Sequence, residues 1–571
     1  MMIPVRRGAG FSVPIVILFS IALGCQSQST PSPAQSANPP NAEAVAGQLR
    51  TIASAGTLPD LTWPNFPDYR DQVQGLYEAV NYAPVWVRDG QPTPQAQAVI
   101  TAFGVSRLKG LNPEEYDAER WPSRLSALKS APGDAITIAH FDAALTVSAM
   151  RYISDLHIGR VNPKHFKFGI DVAQKSYDLP QFLLQKLLLA TDVSEVLKEV
   201  EPPYYGYQRT EAALQNYLAL ADQDHGAPLP EVQKTLAPGD PYVGAEALAQ
   251  RLQLVGDLPK GPITDFKPGI YEGALVDGVK HFQSRHGLNP DGRLGKDTLR
   301  QLNTPLSVRI QQLDDALERW RWLPVDFPTL PVAVNIPEFV LRVFYPDHRI
   351  ALRMNVVVGK AVRNETPVFA KDMKYIVFRP YWNVPYSITR GEIIPALTKD
   401  SGYLARKNFE ITDPSGRIVT SSTVSADVLT QLRSGKLLAR QRPGPANSLG
   451  LVKFMFPNEH NVYLHSTPAQ ALFSESRRDF SHGCIRVQKP AELAAWLLQG
   501  QPKWTLDAVK AAMQSGPDNQ QVNLDKPVPV VIIYLTAVVE ENGEVYFFDD
   551  IYGHDRSLNA VLAKGPPYPG A

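Results

Sequence analysis

Near Pro331 the spacing of apolar residues changes, and that change limits what the chain can fold into. Before it, apolar side chains recur at helical intervals, as in residues 69–80, 94–103 and 135–155. After it, PVAVNIPEFVLRVFY, RIALRMNVVVGK and MKYIVFRPYWNVP are runs rich in β-branched and aromatic residues, bounded by Pro, Gly and Asp. The first pattern lays an apolar stripe along a helix, and the second fits pleated strands. One layer cannot satisfy both. The expectation is a multidomain α+β chain, helical first and β-rich second, and 571 residues are enough for about three cores.

The N-terminus has a different job. Arg6 and Arg7 precede the apolar run FSVPIVILFSIAL, which ends at Gly24-Cys25. A basic start with a short apolar run reads as a signal peptide over residues 1–24, the run being too short for a membrane span. Cys25 follows a small residue as at a lipoprotein cleavage site, although Ala22 stands where such a site prefers Leu. Residues 25–58 begin as Ser, Pro, Gln and Ala with almost no bulky apolar side chain, and read as a disordered tether. The chain is therefore expected to be exported to the periplasm, tethered to the outer membrane if Cys25 is lipidated, since Gln26 is not the aspartate of inner-membrane retention. With 57 basic and 57 acidic residues cancelling, no pull towards nucleic acid is expected.

Between tether and strands, residues 59–240 read as a helical unit. Residues 241–304 form a compact three-helix unit with an HGLNPDG turn, and 305–325 an amphipathic helix with Ile310, Leu313, Leu317 and Trp320 on one face. Residues 326–560 are the β-rich part. It carries a lid of helices and loops at about 386–447 and a hairpin about Glu541-Asn542-Gly543, expected to complete the sheet; 561–571 read as a flexible tail. His157, Arg160 and His165 show no further ligand for a metal and read as structural or surface residues; His554 reads as surface. No metal or organic cofactor is expected.

Chemistry concentrates in residues 463–487, YLHSTPAQALFSESRRDFSHGCIRV. Apart from Cys25, in the leader or at the mature N-terminus, Cys484 is the sole cysteine, so no structural disulfide is expected and it reads as a free thiol in an oxidising compartment. A thiol attacks only as thiolate and needs a base or a positive pocket beside it. His482 lies two residues away, and His465 arrives from an upstream segment. A single cysteine is by default a buried small hydrophobe; these neighbours argue otherwise.

LHSTP, a fifteen-residue gap from His465 to Ser481, and then SHGCIRV resemble the active-site signature of the L,D-transpeptidases. VNIPEF, VVVGK and YWNVP resemble the opening sheet of their catalytic domain. VKHFQSRHGLNPDGRLGKDTLRQLN resembles their inserted peptidoglycan-binding module, and the upstream helices resemble the scaffold domain of the large Gram-negative type. The resemblance implies acyl transfer: Cys484 as nucleophile, His465 as general base, His482 orienting or shuttling a proton, Gly483 in a backbone oxyanion site and Ser481 setting the turn. Arg486, Trp382, Asn383 and Tyr463 would bind substrate, and Lys453 reads as strand surface or a contact for an acidic group. The implied reaction cuts a tetrapeptide stem of peptidoglycan, releases D-Ala and forms a 3→3 cross-link in the cell wall. Two alternatives remain open: the same acyl-enzyme with water or a lipoprotein lysine as acceptor, and a non-catalytic scaffold that binds stem peptides and glycan.

Overall fold

The computed structural model describes residues 41–568 apart from 171, 173, 174, 265, 325, 326, 328, 329 and 401. The leader, Cys25 and the tether up to residue 40 lie outside the described residues.

Nine strands build the β-rich part: β1 (Val332–Asn335), β2 (Val340–Phe344), β3 (Ile350–Gly359), β4 (Phe369–Phe378), β5 (Val452–Met455), β6 (Leu464–His465), β7 (Asp479–Ser481), β8 (Ile485–Val487) and β9 (Gln520–Ile533). They run in the order β7-β3-β8-β6-β5-β4-β9-β1-β2, and β2 pairs again with β3, so eight strands close on themselves. Closure removes the open edges that invite pairing with other chains. Alternate residues fill the middle, among them Val334, Leu341, Val356, Ile376, Phe454, Leu464, Ile485 and Ile532. The hairpin at Glu541 does not join this sheet. Its strands Ala537–Val539 and Val545–Phe547 pair only with each other, and Ala537, Val539, Val545 and Phe547 bury against helices Tyr205–Ala221 and Leu306–Trp322. The long strand β9 fills the expected place.

Residues between β4 and β5, the stretch read as a lid and called the lid, have their own small core of Val384, Ile393, Leu397, Leu404, Phe409 and Ile411. It is more than helices and loops: Trp382–Asn383, Leu438–Gln441, Phe409–Thr412 and Ile418–Thr420 make a four-stranded sheet.

The helical unit packs around the helix Ala135–His157, which Asp134 caps by accepting the Thr137 N–H at 2.8 Å. Three expectations change here. The helix Ala42–Ala55 falls inside the span read as tether, because Val45, Leu49 and Ile52 line one face and bury against this core. The described part of the tail, 561–568, is docked too: Gly565 and Pro566 are buried, and the Tyr568 ring packs against the catalytic core. His554 is half-buried rather than on the surface, with its ring 4.9 Å from Phe168 and 4.6 Å from Tyr534; partial burial pulls its pKa down to about 4.

Helix Leu306–Trp322 joins all the parts. Its apolar stripe meets Tyr207, Leu214 and Tyr217, yet its polar side is buried as well. Glu318 accepts the backbone N–H of Arg160 at 2.6 Å and of Val161 at 3.2 Å, and Arg319 pairs with Asp555 at 2.5 Å. Removing one member of a buried charged set leaves the others uncompensated. Glu318→Ala is therefore expected to cost about 3–5 kcal/mol, read as an earlier urea transition of the scaffold.

The three-helix unit explains its own polar motif. Gln283 accepts the Gly292 N–H at 2.8 Å and donates to Asp291 Oδ1 at 3.1 Å and the Arg293 carbonyl at 2.9 Å. Those residues hold the turn rather than a ligand. Arg285 fastens the unit to the hairpin through the Val545 carbonyl at 2.6 Å.

Candidate active site

The short strands β5, β6 and β8 place the chemistry. β6 runs parallel to β8 with His465 opposite Arg486, and antiparallel to β5 with His465 opposite Lys453. Directly opposed residues point to the same face of a sheet. Lys453, His465 and Arg486 therefore form one row, and one step back along the same face Tyr463 lies beside Cys484. The other face carries Phe454, Leu464 and Ile485 into the core, which locks the register.

His465 is buried, and its Nδ1 lies 2.6 Å from the Ser466 carbonyl oxygen. A carbonyl only accepts, so Nδ1 carries the proton and Nε2 keeps its lone pair. Burial, with the nearby Arg486 guanidinium, pulls its pKa down to about 3. The loop behind it is tight. Gly450 sits at φ 63°, and a Cβ there would lie 2.0 Å from Ser466 Oγ.

Cys484 is half-buried, and its Sγ lies 3.7 Å from the Asn461 carbonyl oxygen. Burial pushes the thiol up from its ordinary value, against the hydrogen bonds from Tyr463 and the charge of Arg486. Thiol and imidazole are thus both neutral at pH 7. A preformed thiolate–imidazolium pair would alkylate at full rate from mildly acid pH. The rate of alkylation of Cys484 by iodoacetamide is instead expected to climb through pH 9 without a plateau near neutrality; a plateau between pH 5 and 7 would sink this reading.

The turn around the sulfur is fixed by hydroxyls. Ser481 Oγ donates to the Cys484 carbonyl at 2.6 Å and accepts the Gly483 N–H at 3.1 Å. That N–H, expected to face an oxyanion, is engaged by Ser481 in this state. Gly483 has φ 112°, a conformation that side chains resist, and its carbonyl accepts from Thr366 Oγ1 at 2.8 Å. Thr366 carries no motif of its own, so nothing in the sequence marks it. His482 points elsewhere: its Nε2 is 2.7 Å from Glu392 Oε1, in the lid. Trp382 and Asn383 belong to the lid's sheet, opposite Gln441 and Arg440, and the Trp382 ring packs 6.1 Å from that of Phe409. The structure gathers Cys484, Tyr463, His465, Arg486, Ser481 and Gly483 at one place, and sets Trp382, Asn383 and the ring of His482 with the lid.

Around this closed β-domain, whose one face carries both the thiol and the imidazole, residues 332–510 match the family model described as L,D-transpeptidase catalytic domain. Residues 71–214 match a scaffold domain, and residues 244–302 match a model described as "Putative peptidoglycan binding domain". The chain is thus a multidomain α+β protein that combines these three domains. Among curated proteins it is similar to one from Haemophilus influenzae named "Putative L,D-transpeptidase", 32% identical over 250 residues. The match covers 44% of this chain and 49% of the relative, about half of its length.

Proposed function

We propose that this chain is an exported L,D-transpeptidase that forms 3→3 cross-links in peptidoglycan through a cysteinyl thioester. The observation that carries the proposal is the shared face of Cys484 and His465, with the imidazole held by the Ser466 carbonyl so that Nε2 is the free base. As sulfur adds to the L-centre carbonyl of the third stem residue, meso-diaminopimelate, Nε2 takes the thiol proton. The tetrahedral oxyanion finds backbone N–H groups at the Ser481–Cys484 turn, with the Gly483 N–H joining if the Ser481 hydroxyl turns away. When the C–N bond breaks, Nε2 returns the proton to the departing D-Ala amine, leaving the thioester. The side-chain amine of a second stem then adds, loses its proton to Nε2 and expels the sulfur, which recovers that proton.

Arg486 faces the same space, and its buried Nε has no hydrogen-bond partner, which suits a substrate carboxylate. The match to a peptidoglycan-binding domain supports glycan or stem peptide as the ligand of the three-helix unit. Among the described residues no helix is long and apolar enough to cross a membrane. Lipidation of Cys25 is the proposed anchor, holding the chain at the outer membrane.

Mass spectrometry of the full chain incubated with tetrapeptide muropeptides tests the reading. The expected result is a tryptic peptide containing Cys484 that carries the stem without D-Ala, together with dimeric muropeptides. A free tripeptide alone would assign water as acceptor, and an unmodified Cys484 with unchanged muropeptides would reduce the protein to a binding scaffold.

A further inference from the structure

Two cations flank His465 in one row, and neither has an acidic partner. Lys453 stands one strand away on β5 and Arg486 one strand away on β8. Strands lie about 4.8 Å apart, so the two backbones are separated by about 10 Å, with the imidazole between them. Among the described residues no carboxylate pairs with either. The Lys453 ammonium lies over the Tyr463 ring, with Nζ 6.0 Å from its centroid, and Tyr463 is the residue beside the nucleophile. Burial alone shifts the Lys453 amine, downwards, with no neighbouring charge contributing. At Arg486 the buried Nε lacks any acceptor.

Half-buried cations without partners are costly, and several basic residues of the same domain avoid the cost by pairing with carboxylates. Arg342 is shared by Glu338 and Glu540, both at 2.6 Å, and Arg477 is held by Asp479 at 2.7 Å. The pair around His465 has no such carboxylate among the described residues, and it lies on the face that carries the sulfur. A charge left unsatisfied beside a reactive group is accounted for if the ligand supplies the counter-charge.

We propose that Lys453 is a specificity-determining residue: with Arg486 it forms a two-point receptor that selects a donor peptide bearing two free carboxylates near the reacting carbonyl. This rests on the transpeptidase reading for the identity of the donor. In a tetrapeptide stem the two groups are the terminal carboxylate of D-Ala and the carboxylate at the D-centre of diaminopimelate. Lys453 reads one and Arg486 the other. Both lie close to the atoms that react, so a donor with either carboxylate capped as an amide leaves one cation desolvated and unpaired.

The test separates this from the chemistry by using full-length chain carrying Cys484→Ala and measuring affinity by calorimetry. Three tetrapeptides serve as probes: the diacid, the D-Ala amide and the diaminopimelate D-centre amide. Adding Lys453→Met, close in volume and uncharged, is expected to weaken the diacid about 10- to 100-fold, the range of a charge-assisted hydrogen bond. It should leave one amide unchanged, and that amide identifies the carboxylate Lys453 reads; the other amide should weaken as the diacid does. Lys453→Arg should stay within a few-fold of the parent for all three peptides. If Lys453→Met keeps the parent ratios among the peptides, or if none of them binds the parent, the receptor is wrong. Acyl-enzyme formation without Lys453-dependent binding would overturn the receptor and leave the transpeptidase standing. Lys453-dependent binding without acyl-enzyme in the cysteine-bearing chain would do the reverse.

Discussion

Cys484→Ala is expected to abolish release of D-Ala, lowering kcat by about a million-fold, the size seen when a covalent nucleophile is removed. The sulfur is half-buried at the end of a turn whose geometry belongs to other atoms: the Ser481 hydroxyl, the Gly483 backbone and Thr366. Loss of one sulfur atom there should leave the fold intact. The variant should therefore keep its urea transition and its affinity for stem peptide while the adduct at position 484 disappears. Residual turnover within a hundred-fold of the parent would mean that the bond-breaking step does not pass through this thiol.

The second large effect is expected for His465→Gln, which removes the base and keeps a polar group in the pocket. General base catalysis contributes about a hundred- to ten-thousand-fold, and acylation should slow by that factor with little change in affinity for the donor. A variant that acylates at the parent rate would remove His465 from the role of base. The pH behaviour gives an independent readout. The folded pKa, about 3, lies below the ordinary value of 6.5, so the unfolded chain takes up a proton that the folded chain refuses. As pH falls from about 6.5 towards 3, the group therefore works against the fold. His465→Gln should lose less stability than the parent over that window, measured by urea midpoints at pH 7 and pH 4.5.

That the strand of His465 lies beside the strand following Cys484 was legible because the motif carries its own structural logic: a strand, a crossover and a second strand beside the first. The three-helix unit was legible for a similar reason, since its Gln, Asp, Gly and Thr make one another's hydrogen bonds. Other features lay deeper. Helix Ala42–Ala55 does have Val45, Leu49 and Ile52 at helical spacing, but they are diluted by alanine and follow a Pro-rich run, so low bulk was read as disorder. The docked tail and the half-buried His554 depend on partners hundreds of residues away, such as Trp63 beside Gly565 and Phe168 beside the imidazole. Lys453 has unremarkable neighbours in sequence; only the antiparallel register of two short strands turns it towards the histidine. Helix Leu306–Trp322 showed a clear apolar stripe, yet its charged side is buried because Arg160 and Asp555 come to meet it.

The group that steers the imidazole is a main-chain oxygen, the one on Ser466, where many thiol and serine enzymes place an aspartate or asparagine side chain. No codon change deletes a peptide carbonyl. Side-chain scanning would thus count two indispensable members in this centre, and the third would escape detection. It could be reached only by altering the backbone itself, for instance by converting the peptide bond after Ser466 to an ester, whose poorer carbonyl acceptor would loosen the ring while every side chain stayed in place.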